Sequence, residues 1–232
     1  MGILIILEGG DGSGKATQTA RLKERLVQEG YRVKAVSFPN YDSGAAMPIK
    51  MYLAGEFGKD ASDVNPYVAS SMYAIDRFAS FRQDWQEFYE QGGIILADRY
   101  TTSNMVHQMV KYTNATERTA FLDWLEDFEF GKFELPRPDA VCLLDVPLAT
   151  SEALMAERKG KTGGETGDIH EKDRHHLAAV HGAYNELVNR YGWHRIACTE
   201  AQAADTVPQM RSVESIHDDV YSIVMQIIKS NV

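Results

Sequence analysis

The sequence predicts an α/β fold in which a parallel sheet carries helices on both faces. Three observations carry this expectation. Strand-like and helix-like segments alternate along the chain, as they must where crossover helices join parallel strands. The runs Ile94-Ile95-Leu96-Ala97 and Ala140–Asp145 are short and almost wholly apolar, as strands buried on both faces are. And Ile3-Leu4-Ile5-Ile6-Leu7 runs straight into a glycine-rich turn followed by an amphipathic segment.

Taken in order, the first strand is Ile3–Leu7. A helix follows from about Gly14 to Glu29, with Ala20, Leu22 and Leu26 facing inward and Gly30 stopping it. Tyr31–Phe38 is the second strand, ended by Pro39. Helices are expected near 45–54 and, as one long element, over 65–91, where Gly92-Gly93 breaks the pattern. After the strand at 94–97 come helices near 101–112 and 116–130, then a loop marked by Pro136 and Pro138. The strand Ala140–Asp145 leads to a helix from Pro147 to Glu157. Residues 158–168 hold no apolar side chain but four glycines and three cations, which keep a segment out of a core, so they are expected to form a mobile loop. A helix over 169–191, a strand at Trp193–Ala197 and a helix over 206–229 complete a single domain spanning 1–232, with no internal repeat.

Composition sets limits on function. With 44% hydrophobic and 25% charged residues the chain has the make-up of a globular protein with a full core. No apolar run approaches the length of a membrane span, and no basic leader precedes the first strand, so a cytoplasmic location without membrane contact is expected. The two cysteines, Cys142 and Cys198, lack metal-ligand spacing and fit a reducing compartment. A net charge of −9, from 24 basic and 33 acidic residues, argues against general nucleic-acid binding. It leaves room for a small anionic substrate held by a few local cations.

The most specific signal is Glu8-Gly9-Gly10-Asp11-Gly12-Ser13-Gly14-Lys15-Ala16-Thr17. Gly9, Gly14 and Lys15 meet the pattern G-x-x-x-x-G-K of a P-loop, which cradles the phosphates of a nucleoside triphosphate. Glycines let successive backbone N–H groups turn inward, the helix start adds unpaired donors and a positive dipole end, and Lys15 adds a point charge. The final Ser or Thr of the pattern, which would ligate magnesium, is Ala16 here. Asp98, closing the third strand, is placed at the rim where such sheets bind ligands and could hold Mg2+ directly or through water, with Arg99 gripping a phosphoryl group. The plainer alternative for the pair is a surface ion pair capping a helix. Tyr73 and Arg77, four apart on the long helix, share a face that suits a nucleobase. On spacing alone, a core tyrosine beside a solvated arginine is the simpler reading.

The P-loop through Gln18, Phe38-Pro39, Tyr73–Arg77 and Asp98-Arg99-Tyr100 with Ser103-Asn104 occur in the order and spacing of the thymidylate kinases, which the chain resembles over nearly its whole length. The resemblance implies a P-loop NTPase three-layer sandwich with a five-stranded parallel sheet, a lid, and a homodimer. It implies transfer of the γ-phosphate of ATP to dTMP, with Mg2+ as cofactor. It implies that Gly9, Gly10, Asp11, Gly12, Ser13, Gly14, Lys15, Ala16 and Thr17 bind ATP, and that Asp11 meets the sugar 3′-hydroxyl and the magnesium surroundings. Phe38, Pro39 and Tyr41 would wall the acceptor. Tyr73 would stack on thymine, Arg77 would reach its carbonyl oxygen, Asn104 would read the base edge, and Arg99 would hold the acceptor phosphate.

Three positions depart from the family. Asn40-Tyr41 stand about where many members carry an arginine. Gly12 stands where some carry a catalytic arginine in the loop, which shifts that role to the lid, with Arg158 as the candidate and Lys159, Lys161 and Arg174 behind it. His107 stands where relatives often carry a tyrosine crowding the 2′-position. A phosphate acceptor, with a second pKa of roughly 6, is largely ionised at neutral pH and needs clamping rather than a general base. A deoxynucleoside kinase would need a carboxylate near the end of the second strand, and Ser37-Phe38-Pro39-Asn40 supplies none. That enzyme and a catalytically silent nucleotide-binding module, suggested by Ala16, are the alternatives.

Overall fold

The computed structural model describes residues 1–162, 174–200 and 207–231. Five strands, β1 (Ile3–Glu8), β2 (Val33–Ser37), β3 (Ile94–Asp98), β4 (Ala140–Asp145) and β5 (His194–Ala197), form one sheet in the order β2-β3-β1-β4-β5. Every pairing is parallel. The helices are α1 (Lys15–Gln28), α2 (Met47–Leu53), α3 (Pro66–Ser80), α4 (Gln86–Glu90), α5 (Thr101–Met109), α6 (Ala115–Glu126), α7 (Leu148–Thr162), α8 (Arg174–Tyr191) and α9 (Val213–Ser230).

Strand periodicity sorts the core into two layers. Leu4, Ile6, Ile95, Ala97, Val141 and Leu143 point to one face, where Trp85, Tyr100, Met105 and Phe121 and the α8 residues Tyr184 and Leu187 cover them. Ile3, Ile5, Leu7, Leu96, Cys142 and Leu144 point to the other, against Leu22 and Leu26 of α1 and Val220, Val224 and Ile228 of α9. The fourfold spacing of the α9 residues is what lets one stripe of that helix meet a flat sheet. None of the described helices is long and apolar enough to cross a membrane.

Several boundaries differ from the sequence expectation for identifiable reasons. In α1 the buried stripe is Lys15, Gln18, Thr19, Leu22 and Leu26, and Ala20 is exposed. Two residues before Leu22 at 100° per residue, Ala20 falls on the opposite side of the helix. The helix expected over 65–91 is divided by a π-helical stretch, Phe81–Trp85, whose wider turn keeps both Phe81 and Trp85 in the core. A second π stretch, Asp127–Lys132, ends the α6 segment. Residues 158–162 of the expected lid loop are instead the last turns of α7, where Glu157, Arg158, Lys159 and Lys161 are good helix formers. The remainder of that lid, 163–168, lies outside the described residues, as do 169–173 of the helix expected from 169. The terminal helix begins at Val213 rather than 206. Pro208 cannot sit within a helix, and the Ser212 hydroxyl caps the first turn by accepting from the Ser215 N–H at 3.1 Å.

The α1–α9 seam contains one titratable group with a clear linkage. His217 is buried, and its Nδ1 has no hydrogen-bond partner among the described residues. Burial pushes its pKa below the usual 6.5, helped by Arg25 and Arg21, with Asp218 opposing. The folded state therefore favours neutral imidazole. The stability this confers is present above the unfolded pKa and is lost as pH falls toward the folded one. Thermal melts followed by circular dichroism should show wild type losing more melting temperature between about pH 7 and pH 5 than His217→Gln, which takes up no proton. Equal losses would show that His217 titrates alike in both states.

Candidate active site

The strand order creates the site. The connection after β1 passes to α1 on one face of the sheet, whereas that after β3 passes to α5 on the other. Adjacent parallel strands whose connections diverge leave a crevice at their carboxyl ends. A cleft of about 660 Å³ opens there, lined by loops after β1, β2 and β3 and by α3 and α5.

The turn after β1 takes its shape from glycine. Gly9, Gly12 and Gly14 have φ values of 149°, 78° and 87°. A Cβ at Gly9 would stand 2.8 Å from the Leu144 carbonyl oxygen and the Ser13 hydroxyl, so a side chain is excluded there. Ser13 donates its N–H to the Gly10 carbonyl at 3.3 Å, closing the turn. Its buried hydroxyl has no partner among the described residues. Lys15 opens α1 and folds back across the loop, donating from Nζ to the carbonyls of Gly9 at 2.9 Å and Gly10 at 2.8 Å. Burial, seconded by the Arg99 charge, pulls its pKa down to about 8. An anion in the loop would offset both effects. Ala16 and Thr17 are exposed on the first turn and line the cleft, as do Asp11 and Gly12.

Asp98 lies level with Leu7 of β1 and Ser37 of β2. Desolvation raises its carboxyl pKa, against the pull of Lys15 and Arg99. Arg99 adopts φ 67°, rare for a side-chain-bearing residue, and its N–H donates to the Leu7 carbonyl at 3.1 Å. That turn aims the guanidinium over the end of β1. Nη2 donates to Asp11 Oδ1 at 2.5 Å, Nη1 to the Ser103 hydroxyl at 3.2 Å, and Glu8 Oε1 lies 3.7 Å away. Burial disfavours the charge, but Asp11 and Glu8 outweigh it and hold the pKa above the usual arginine value.

The acceptor half faces this one across the cleft. Phe38-Pro39 is a cis peptide, and the Phe38 ring packs on Tyr100 at 5.8 Å between centroids. The following Asn40 N–H donates to buried Asp76 Oδ2 at 2.9 Å. Tyr41 is half exposed at the rim. Tyr73 meets Tyr52 edge-on at 6.4 Å. Arg77 is neither solvated nor loose: Nε and Nη2 donate to the two oxygens of Glu129 at 2.6 and 2.5 Å. Asn104 accepts from the Ser70 hydroxyl at 3.3 Å. His107 Nδ1 lies 3.3 Å from His176 Nε2, with the rings stacked at 5.6 Å.

All the expected acceptor residues therefore line one cleft with Lys15 and Asp98. The side chains of Arg158, Lys159, Lys161 and Arg174 lie outside the described residues. Sequence reasoning missed Glu129, Gln108 and His176. Gln108 lines the cleft with its amide buried and unbonded among the described residues, and its place four residues after Asn104 was the available signal. Glu129 sits between Phe128 and Phe130, and a carboxylate inside an aromatic run was the signal there.

Relatives and solved structures agree with this architecture. The chain is 30% identical over 193 residues to a thymidylate kinase of Mycobacterium tuberculosis, covering 82% of this chain and 87% of that one. It is 28% identical to a Homo sapiens thymidylate kinase over 219 residues, covering 94% and 88% of the two. The fold matches that of a thymidylate kinase from Candida albicans with a TM-score of 0.64 at 21% identity, covering 99% of this chain and 92% of that one. A family model described as thymidylate kinase matches residues 7–207, and the chain belongs to the thymidylate kinase family.

Proposed function

We propose that the chain transfers the γ-phosphate of ATP to dTMP, giving ADP and dTDP, with the residues of this cleft in the following roles. The carrying observation is one cleft that joins a glycine-shaped phosphate loop with Lys15 to a pocket lined by Tyr73, Arg77 and Asn104. The loop from Gly9 to Thr17 holds the ATP phosphates by backbone N–H groups, and Lys15 neutralises charge as it redistributes toward the β–γ bridge. Arg99 clamps the acceptor phosphate, and Asp11, bonded to Arg99, meets the sugar hydroxyl. Tyr73 stacks on the base while Arg77 and Asn104 read its edge, with Phe38, Pro39, Tyr41 and His107 closing the walls. Arg158, in α7 beyond Leu154 and Met155, which lie beside Gly12, is the residue proposed to supply a cation to the transferring group.

The residues also fit Mg2+. Ala16 offers no oxygen, Glu8 accepts from a backbone N–H and three hydroxyls, and Asp11 is paired with Arg99. Asp98 presents a hard carboxylate to the cleft, which suits an ion that keeps most of its waters. Held there, the ion would offset negative charge on the phosphates. No general base is required, and Ser37-Phe38 at the end of β2 provides none, which weighs against a nucleoside acceptor.

A homodimer fits the outer face of α3. Val68, Ile75 and Phe78 are 52%, 47% and 39% exposed on one stripe, and Phe78 continues into Phe133 at 5.3 Å and Phe128 beyond it. A contiguous exposed apolar face of this kind is what an interface between copies covers. The reduced, buried Cys142 and Cys198 are compatible with a cytoplasmic enzyme.

Steady-state assays with ATP and a panel of acceptors should place dTMP well ahead of dCMP, AMP, GMP and thymidine. Thymidine turnover at or above that of dTMP would refute the assignment. Lys15→Ala should lower kcat by about 10²–10³-fold while calorimetry finds dTMP affinity nearly unchanged. Asp98→Asn should raise the magnesium requirement and depress turnover. Sedimentation should give a dimer that Ile75→Glu converts to a monomer, and a monomeric wild type would refute the α3 interface.

A further inference from the structure

Glu129 belongs to none of the motifs that mark the cleft, yet it organises the base side. It lies in the π stretch after α6 and is fully buried. Both oxygens are in use. Oε2 accepts from Arg77 Nε and from the Thr101 hydroxyl, each at 2.6 Å. Oε1 accepts from Arg77 Nη2 at 2.5 Å and from Asn104 Nδ2 at 3.4 Å. One carboxylate from the end of α6 thus fixes side chains of α3 and α5.

We propose that Glu129 is a positioning residue that sets the donor–acceptor polarity of the base subsite, and so selects a base carrying a carbonyl beside a ring N–H. This inference rests on the dTMP kinase reading above. An ionised carboxylate only accepts hydrogen bonds, so Asn104 must turn its nitrogen toward Glu129. Its oxygen then faces the other way, where the Ser70 hydroxyl donates to it at 3.3 Å and a second lone pair remains. Arg77 is held by Nε and Nη2 in a planar fork, with its guanidinium carbon 6.0 Å from the centre of the Tyr100 ring. Nη1 is the nitrogen left over by this clamp. The subsite therefore presents a fixed donor from Arg77 and a fixed acceptor from Asn104.

The edge of thymine has the matching order, a carbonyl acceptor beside an N3–H donor. Cytosine reverses it, with an amino donor beside an unprotonated N3. In that case donor would face donor and acceptor would face acceptor. Neither Arg77 nor Asn104 enforces this alone, because an asparagine amide free to rotate by half a turn offers either end. Two accept-only groups behind it remove that freedom: Glu129, and the Ser70 carbonyl, which accepts from the same Asn104 Nδ2 at 3.5 Å.

Glu129→Gln tests the idea, because glutamine keeps the size but supplies one acceptor where Arg77 uses two. Its own NH₂ can face Asn104, which leaves the Ser70 carbonyl as the one accept-only group orienting that amide. The expected result is a KM for dTMP raised ~10- to 100-fold, with kcat and the KM for ATP little changed. The ratio of kcat/KM for dTMP over dCMP should fall by about tenfold or more. Glu129→Asp, which still only accepts, should weaken dTMP binding while keeping the preference over dCMP. Wild-type KM and wild-type preference in a folded Glu129→Gln would overturn the proposal. Should that variant fail to fold, Glu129→Asp carries the test: a raised KM for dTMP with the preference over dCMP kept supports the proposal, and loss of that preference overturns it. The wild-type acceptor panel separates the two levels of failure. A wild type without dTMP preference refutes the function, whereas a wild-type preference carried unchanged by a folded Glu129→Gln refutes only the role of Glu129.

Discussion

The carboxylate of Glu8, at the end of the central strand, is the contact on which the site depends. It is fully buried, and it accepts from the Gly9 N–H, the Thr102 and Ser103 hydroxyls and the Tyr184 hydroxyl while lying 3.7 Å from Arg99. Those partners belong to the phosphate loop, to α5, to α8 and to the turn after β3. A buried carboxylate is costly unless its lone pairs are filled, and the filling here can occur only when all four segments are in place. The glycine-rich loop after β1 is thereby tied to the helix that carries Ser103 and Asn104. The two halves of the cleft cannot move apart without unpairing this charge.

Glu129 repeats the device on the opposite wall, and the two differ in a way that matches their tasks. Arg77 and Glu129 are both almost inaccessible, at 2% and 0% side-chain exposure, so the pair is fixed once the chain has folded. Arg99 is paired with Asp11, whose side chain is 41% exposed, and that partner can shift when an anion arrives. A buried pair is weak evidence for stability, since apolar residues of like volume often serve as well. What both pairs provide is orientation of a guanidinium that would otherwise sample many rotamers. In the proposed roles, the firmly held guanidinium would meet a rigid neutral base, and the one with an exposed partner would meet phosphates that enter and leave.

What was legible in the sequence was whatever depended on local pattern. The ends of β4 at Ala140 and Asp145 follow from an unbroken apolar run, and the strand–glycine–lysine order located the phosphate loop without reference to distant residues. The motifs Tyr73–Arg77 and Asp98-Arg99 were visible, but their partners were not. Arg77 meets Glu129 across 52 residues, His107 meets His176 across 69, and Glu8 meets Tyr184 across 176. Such pairings arise from topology, which brings α3, α5, α6 and α8 to one face of the sheet. Local propensity carries no record of them. The two π stretches escaped for a related reason. Each adds one residue to a helix whose periodicity reads as continuous, and the choice between an α and a π turn at Trp85 or Glu129 is made by what the side chain packs against.

The charge balance resolves on the same local scale. The chain carries a net −9, yet its proposed substrates are anions. Lys15 and Arg99 disfavour each other across the cleft, and the lowered pKa of Lys15 records part of that repulsion. Glu8, Asp11 and Asp98 oppose it, so the unliganded site is a mosaic of alternating charges rather than a positive patch. Such an arrangement gives little long-range attraction to phosphate, since opposite charges a few ångströms apart cancel within about a Debye length. Attraction develops at contact. An anion seated in the loop meets Lys15 at a burial depth where water screens poorly, and relieves its repulsion by Arg99. Recognition then depends on the shape of the loop, which glycine dictates, before it depends on charge. An acidic protein can for that reason bind a triphosphate without the extended basic surface that capture of nucleic acid needs.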